Sequence, residues 1–278
     1  CVLVSTTAQA VRAGDQDPPV LETVEVHGQR LHLNLQREQS LTPGVVTLID
    51  ANELYQRNVP NLAEMMRFAP GVWSDSAAGG SGVFLSIRGS NLDATDYDMN
   101  GVKLLQDGLP ITTADGNNHN RLINPLSTRF ATVARGANAL TYGASTLGGA
   151  IDFNSPTALN SHPAQLFVSA GSHGRLNGQA TAAGIAASGL DGLVTVESNN
   201  WDGYRDHSSE DSNGVYANTG WQLGGGSESR LSASYLNSDQ KLPGALTRAQ
   251  YEADPDQASA AAQGGDYQKN LDTWRLAK

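Results

Sequence analysis

The stretch VYANTGWQL, Val215 to Leu223, alternates without a break. Val215, Ala217, Thr219, Trp221 and Leu223 fall on one side of an extended chain, and Tyr216, Asn218, Gly220 and Gln222 on the other. A period of two is the mark of a β-strand with unlike faces. The device recurs in Arg175 to Gly184, where Leu176, Gly178, Ala180 and Ala182 oppose Asn177, Gln179 and Thr181. It recurs again where Leu231, Ala233 and Tyr235 oppose Ser232 and Ser234. One small or apolar face and one polar face per segment of about ten residues fit a transmembrane β-barrel with a wet interior. A secreted β-sandwich or solenoid alternates too, so the pattern alone leaves both architectures open.

Connections sharpen the reading. They are short near Ser172–Gly174, Ser188–Gly192 and Gly224–Ser227, and long near Asp202–Asn213 and Lys241–Gly265. Short turns on one rim and long loops on the other are the outer-membrane arrangement. Residues 161–278 hold about five or six such strands, far short of the roughly 22 of a plugged transporter barrel. An open sheet with edges facing lipid is not stable in a membrane. The barrel is therefore expected to be incomplete in this chain, which reads as a fragment of a longer protein or a truncated product.

Upstream the period changes. Val45 to Ile49 (VVTLI) is a β-branched run, followed by Asp50 to Glu53 with the spacing of a capping box and a short helix to about Arg57. Asn61 to Phe68 (NLAEMMRF) repeats the device, with Asn61 as cap, Glu64 three residues on, and Leu62, Met65 and Met66 as an apolar stripe that Pro70 and Gly71 end. The methionines read as core packing. Strands are expected at Val83–Ile87, Val102–Leu105, Arg129–Ala134 and Ala150–Asn154, separated by polar stretches at Ser74–Gly82, Asn91–Asn100 and Thr112–Asn120. Loops of that length in a small domain are functional or disordered. Residues 44–160 thus read as a small α+β domain, a mixed sheet with short helices.

Residues 11–43 are polar, carry Pro18 and Pro19, and read as a mobile arm. Within it, Leu21 to Val26 (LETVEV) alternates, which suits either a short strand of the protein's own sheet or one added to another protein's sheet edge. Residues 1–10 end in Ala8, Gln9, Ala10, an A-x-A pattern that reads either as the tail of an export signal or, since a basic n-region and most of an h-region are missing, as a frayed N-terminus.

Composition excludes several classes. The 278 residues carry a formal charge of -10, which argues against a nucleic-acid surface. No run of eighteen apolar residues suggests a membrane helix, and a mean hydropathy of -0.35 does not argue against membrane strands. Cys1 is the single cysteine, so neither a disulfide nor a cysteine metal site is available. Six scattered histidines lack metal-ligand spacing. No nucleophile motif or nucleotide loop occurs, so neither catalytic residues nor a cofactor are assigned. Asp107 and Gly108 read as a tight turn, and Asp93, Asp96 and Asp98 as a solvated one.

Two segments resemble the plug of TonB-dependent outer-membrane receptors: VKLLQDGLPI at Val102–Ile111 and VARGANALTYGASTLGGAID at Val133–Asp152. Further fragments follow the family's order: Glu22–Val26, then Ala69 to Val72, then Ile87, Arg88 and Gly89. The phrases KLLQDGLPITTADG at Lys103–Gly116 and LPGALTRAQYEADP at Leu242–Pro255 lean toward the ferric dicitrate branch.

The resemblance implies an importer of a ferric chelate, ferric dicitrate or another siderophore, in the outer membrane of a Gram-negative bacterium. It implies a TonB box at Glu22, Thr23, Val24, Glu25 and Val26, pairing with TonB, which acts with ExbB and ExbD, in the periplasm. It also implies that Arg88 and Arg135 pair with barrel-wall acids, here expected beyond Lys278. Gly143, Gly148 and Gly149 are expected to serve backbone geometry and packing of Tyr142. Among residues of the outward plug loops, Asn117, Asn118, His119, Asn120 and Arg121 are the candidate ligand contacts. A receptor for a non-iron ligand, or a secreted β-rich binding or adhesion protein, is the alternative.

Overall fold

The computed structural model describes residues 46–59, 61–76, 80–90, 101–111, 123–224 and 227–278. In the first part, β1 (Val46–Asp50) leads into helix α1 (Ala51–Gln56), and α2 (Leu62–Met66) follows. Asn61 caps α2 as its residue type demands, its side chain accepting the Glu64 N–H at 3.0 Å. The Glu64 carboxylate turns outward and pairs with Arg67 at 3.0 Å. Then come β2 (Val72–Ser76), β3 (Val83–Ile87), β4 (Val102–Gln106), β5 (Leu109–Pro110), β6 (Phe130–Arg135) and β7 (Gly149–Asn154). One sheet runs in the order β1-β6-β7-β4-β5, and β2 pairs with β3 separately.

Only β4 and β7 in this sheet pair in parallel; the other three neighbours are antiparallel, so the sheet is mixed. Leu54, Leu62, Met65 and Met66 from the helices pack on Leu85, Ile87, Leu104, Ile151 and Phe153 from the strands. Both methionines are buried in this core, as the stripe required. Asp107 and Gly108 join β4 to β5 with φ of 55° and 75°, the left-handed pair that a two-residue hairpin turn needs. The Asp107 carboxylate is spent on structure, accepting the N–H and the hydroxyl of Ser155, each at 2.8 Å.

The glycines of the second resembling segment are there for close approach. A Cβ on Gly148 would stand 2.5 Å from the Ile87 carbonyl oxygen, and one on Gly149 would stand 2.6 Å from that of Ala134.

Beyond Ala158–Asn160, a turn of 3₁₀-helix, the chain becomes a meander. Strands β8 (Ala164–Ala170), β9 (Leu176–Ile185), β10 (Asp191–Trp201), β11 (Glu210–Gly224), β12 (Ser227–Lys241) and β13 (Gln268–Ala277) form one open antiparallel sheet in sequential order. Its faces are inverted relative to a soluble sheet. Asn177, Gln179, Thr181, Thr195, Ser212, Asn218 and Ser238 are buried on the face turned to the first domain, whereas Leu176, Val194, Val196, Val215, Leu223 and Trp274 are exposed on the other. No helix among the described residues is long and apolar enough to cross a membrane, which says nothing of strands.

The rims differ from the expectation in one respect. Connections 171–175, 202–209 and 242–267 share one rim, and 186–190 lies on the other. The short turn at Ser172–Gly174 therefore sits on the same rim as the long loops. The loop after Trp201 is also shorter than expected, because β11 already begins at Glu210, where its pairing with Trp201 starts. The 242–267 connection is folded, with α3 (Arg248–Ala253) capped by Thr247 and α4 (Ala260–Gly264) capped by Ser259. Arg205 fixes it from the neighbouring loop by donating to the Gln257 carbonyl at 2.8 Å.

Candidate functional site

The seam between the first domain and the strand wall is where the chain concentrates buried polar groups. Tyr55 on α1 places its hydroxyl 2.7 Å from the Leu126 carbonyl oxygen and 2.9 Å from Oε1 of Gln179 on β9. The Gln179 amide nitrogen donates back to the Leu126 carbonyl and to Ser127 Oγ, each at 3.1 Å. Ser127 Oγ in turn donates to the Glu197 carboxylate on β10 at 3.0 Å, and the Asn124 amide donates to the same oxygen. The turn of 3₁₀-helix Pro125–Ser127, capped by Asn124, is thereby held against two wall strands. Burial, aided by the negative charge of Glu197, pushes the Tyr55 hydroxyl up to about 12, so it is a neutral donor at any physiological pH.

Three more contacts tie the seam along its length. Ser81 N–H donates to Glu210 at 2.8 Å, the Asn218 amide to the Pro156 carbonyl at 2.9 Å, and Arg275 to Oε1 of Gln106 at 2.8 Å. All are hydrogen bonds rather than apolar contacts. A polar seam of this kind holds two surfaces in register without the cost that separating a large apolar interface would carry.

Arg88 and Arg135, expected to behave alike, do not. Arg135 is buried: it donates to Thr47 Oγ1 at 2.6 Å and to the Pro70 carbonyl, while its Nε has no partner. Arg88 is exposed, with φ of 54°, and its guanidinium lies over Gly136. Burial, and then the nearby Arg88, lower the Arg135 pKa. Among the described residues no carboxylate pairs with either, so the two cations share a site without a counter-charge. The TonB-box segment Glu22–Val26 and the ligand candidates Asn117, Asn118, His119, Asn120 and Arg121 lie outside the described residues.

Alternation along β10 carried the signal for Glu197, since Thr195, Glu197 and Asn199 share a face; nothing local identified its partners. Two cavities border the seam near the long-loop rim, one of about 90 Å³ and one of about 550 Å³, and Asn61, Arg175 and Trp201 line both. Phe68, Arg57 and Tyr204 border the larger. No group of three or more metal-ligating side chains occurs among the described residues.

Comparison with known proteins gives this geometry its context. Residues 38–150 match the TonB-dependent Receptor Plug Domain family. The chain is 27% identical over 123 residues to the hemin receptor of Yersinia enterocolitica, a match covering 44% of this chain and 17% of that receptor's length. In structure, 81% of the chain superposes on 35% of the ferric citrate transporter FecA in its unliganded form, with a TM-score of 0.65 and 18% identity. The copper transporter OprC superposes over 70% of the chain and 30% of its own, with a TM-score of 0.57 and 18% identity. The α+β domain followed by antiparallel receptor-barrel strands is thus the fold of this chain.

Proposed function

From the premise that residues 38–150 form a TonB-dependent receptor plug and that the strands after it are barrel wall, we propose that the chain serves energy-coupled import of a ferric chelate. The observation that carries this reading is the polar seam. Tyr55, Asn124, Ser127, Gln179 and Glu197 close the plug on the inward face of a wall whose outward face is apolar. A soluble binding protein has no use for exposed Val194, Val196, Val215 and Trp274 on one continuous face.

In this reading residues 1–10 are a leftover signal and 11–43 the periplasmic arm, with the plug at 44–160 and the wall from 161. Glu22–Val26 adds a strand to TonB, and ExbB and ExbD supply the energy. Asn117–Arg121 contact the ligand, and a ferric chelate, ferric dicitrate or another siderophore, is the cargo. Arg88 and Arg135 gain carboxylate partners on the rest of the wall. Deleting residues 22–26 is expected to abolish uptake of radioactive ferric citrate by cells while outer-membrane vesicles still bind it. Uptake that survives the deletion overturns the assignment.

A further inference from the structure

Arg175 closes the turn between β8 and β9, and Trp201 ends β10, on the rim of the long connections. The guanidinium carbon lies 4.3 Å from the centroid of the Trp201 ring. A cation held over an aromatic face in this way keeps N–H donors with which it can grip a carboxylate. Among the described residues no hydrogen bond or ion pair takes these donors up. Glu210, the register partner of Trp201, lies near enough for its charge to act on Arg175, while its Oε2 accepts the Ser81 N–H at 2.8 Å. Arg57, across the larger cavity, is committed: it pairs with Glu53 at 3.3 Å, donates to the Glu64 carbonyl at 2.7 Å and covers Phe68.

Unpaired hydrogen-bonding capacity surrounds the same place. Asn58, on the plug side of the larger cavity, has a buried Oδ1 without a partner. On the wall, two residues beyond Arg175 and so on the same face, Asn177 is 2% exposed, with both amide atoms unpartnered. Its register partner on β8, Ser169, has a buried hydroxyl in the same condition, and its partner on β10, Asn199, lines the smaller cavity. Buried polar atoms are ordinarily satisfied, so such a group marks where a bound molecule or water belongs.

We propose that Arg175 and Trp201 form a wall-side subsite for an oxyanion carried on a flat group, an aryl carboxylate or catecholate edge of the chelate. The larger cavity admits the ring, Trp201 and Tyr204, with ring centroids 6.0 Å apart, supply apolar surface, and the Arg175 fork takes the oxygens. Asp202 and Glu210 stand close by, which excludes a compact polyanion and selects a single charged edge. This deepens the import reading, selecting within it a siderophore with an aryl edge over ferric dicitrate, and rests on it for the cargo being a ferric chelate.

The test is titration of the full chain in detergent with salicylate, read by quenching of tryptophan fluorescence. W201F serves as the blank, because Trp73, Trp221 and Trp274 lie elsewhere. R175Q is expected to weaken salicylate binding by about tenfold or more, the loss typical of a charge-assisted hydrogen bond. R175K should recover part of it, and R248Q, which removes an exposed arginine paired with Glu252 on α3, neither of which lines either cavity, should change nothing. Wild-type affinity in R175Q overturns the subsite, as does citrate binding as tightly as salicylate. Chelate uptake is measured in parallel. Arginine-dependent salicylate binding without uptake overturns the import reading and leaves the subsite standing. Intact uptake with R175Q binding salicylate normally overturns the subsite alone.

Discussion

Tyr55 and Gln179 meet across the seam, hydroxyl to amide oxygen, at 2.9 Å, though 124 residues separate them in the chain. Y55F keeps the ring stacked edge-on against Phe167 and removes only the donor. It should weaken plug docking by about 1–2 kcal/mol, the cost of leaving a buried acceptor unmet, lowering the urea midpoint followed by emission of the plug residue Trp73. The pH dependence has a definite sign. Burial, with Glu197 second, raises the hydroxyl from 10.0 to about 12, so its contribution is whole below pH 10 and is lost as pH climbs from 10 toward 12. Y55F should lack that loss, and equal slopes in both proteins would refute the assignment.

Two glycine substitutions separate close packing from mere absence of a side chain. G149A places a methyl group 2.6 Å from the Ala134 carbonyl oxygen and 2.9 Å from Cδ1 of Ile87, in a sheet that cannot spread. A loss of about 1–3 kcal/mol is expected. G178A, whose Cβ meets nothing within 4 Å, should be neutral or stabilising by up to about 1 kcal/mol. Thermal unfolding of the two variants compares them directly.

Asp152 is a carboxylate that the fold does not favour in its charged form. Burial raises its pKa, the Gly108 N–H opposes this at 3.0 Å, and Asp107 adds to it. A group raised in the folded state stabilises most below its unfolded value, here 3.8, and that contribution fades as pH rises. D152N keeps an acceptor for Gly108 and should be at least as stable as the wild type at pH 7. The advantage should shrink below pH 4, which paired melting curves at the two pH values will show.

Val196 sits on the outward face of β10, 46% exposed. If that face meets hydrocarbon, V196R costs about 2–4 kcal/mol near the bilayer midplane; on a water-facing sheet the same change would fall within about 0.5 kcal/mol. Folding into lipid vesicles, followed by the gel-mobility shift of the folded form, distinguishes the two.

Much of the architecture was legible locally. Val83–Ile87 was bounded correctly because a β-branched, apolar run between glycines has few other uses, and Asn61 capped its helix for reasons contained in three neighbouring residues. The polar faces of β9 and β11 turned inward as their alternation required. What stayed hidden depends on pairing across the chain. Glu197 meets Asn124 and Ser127 only because β10 is brought to a turn some seventy residues earlier, and no periodicity encodes that register. Arg88 and Arg135, each followed by glycine, looked equivalent. They differ because Arg135 ends a strand whose neighbours bury it, whereas Arg88 leaves its strand in a left-handed turn. Arg175 and Trp201 carried no local mark, since their stacking requires two separate strand ends to converge.

The position of β1 at the outer edge of the plug sheet has a mechanical consequence. Among the described residues the strand that pairs with it is β6, through the five register pairs from Val46 with Ala134 to Asp50 with Phe130. A tensile load entering from the N-terminal side of Val46 therefore meets a terminal strand of the sheet order first. Peeling proceeds there pair by pair, while the interior pairing of β4 with β7 carries little of the force. The sheet order thus builds in a rip line, along which the plug can yield in steps instead of failing all at once.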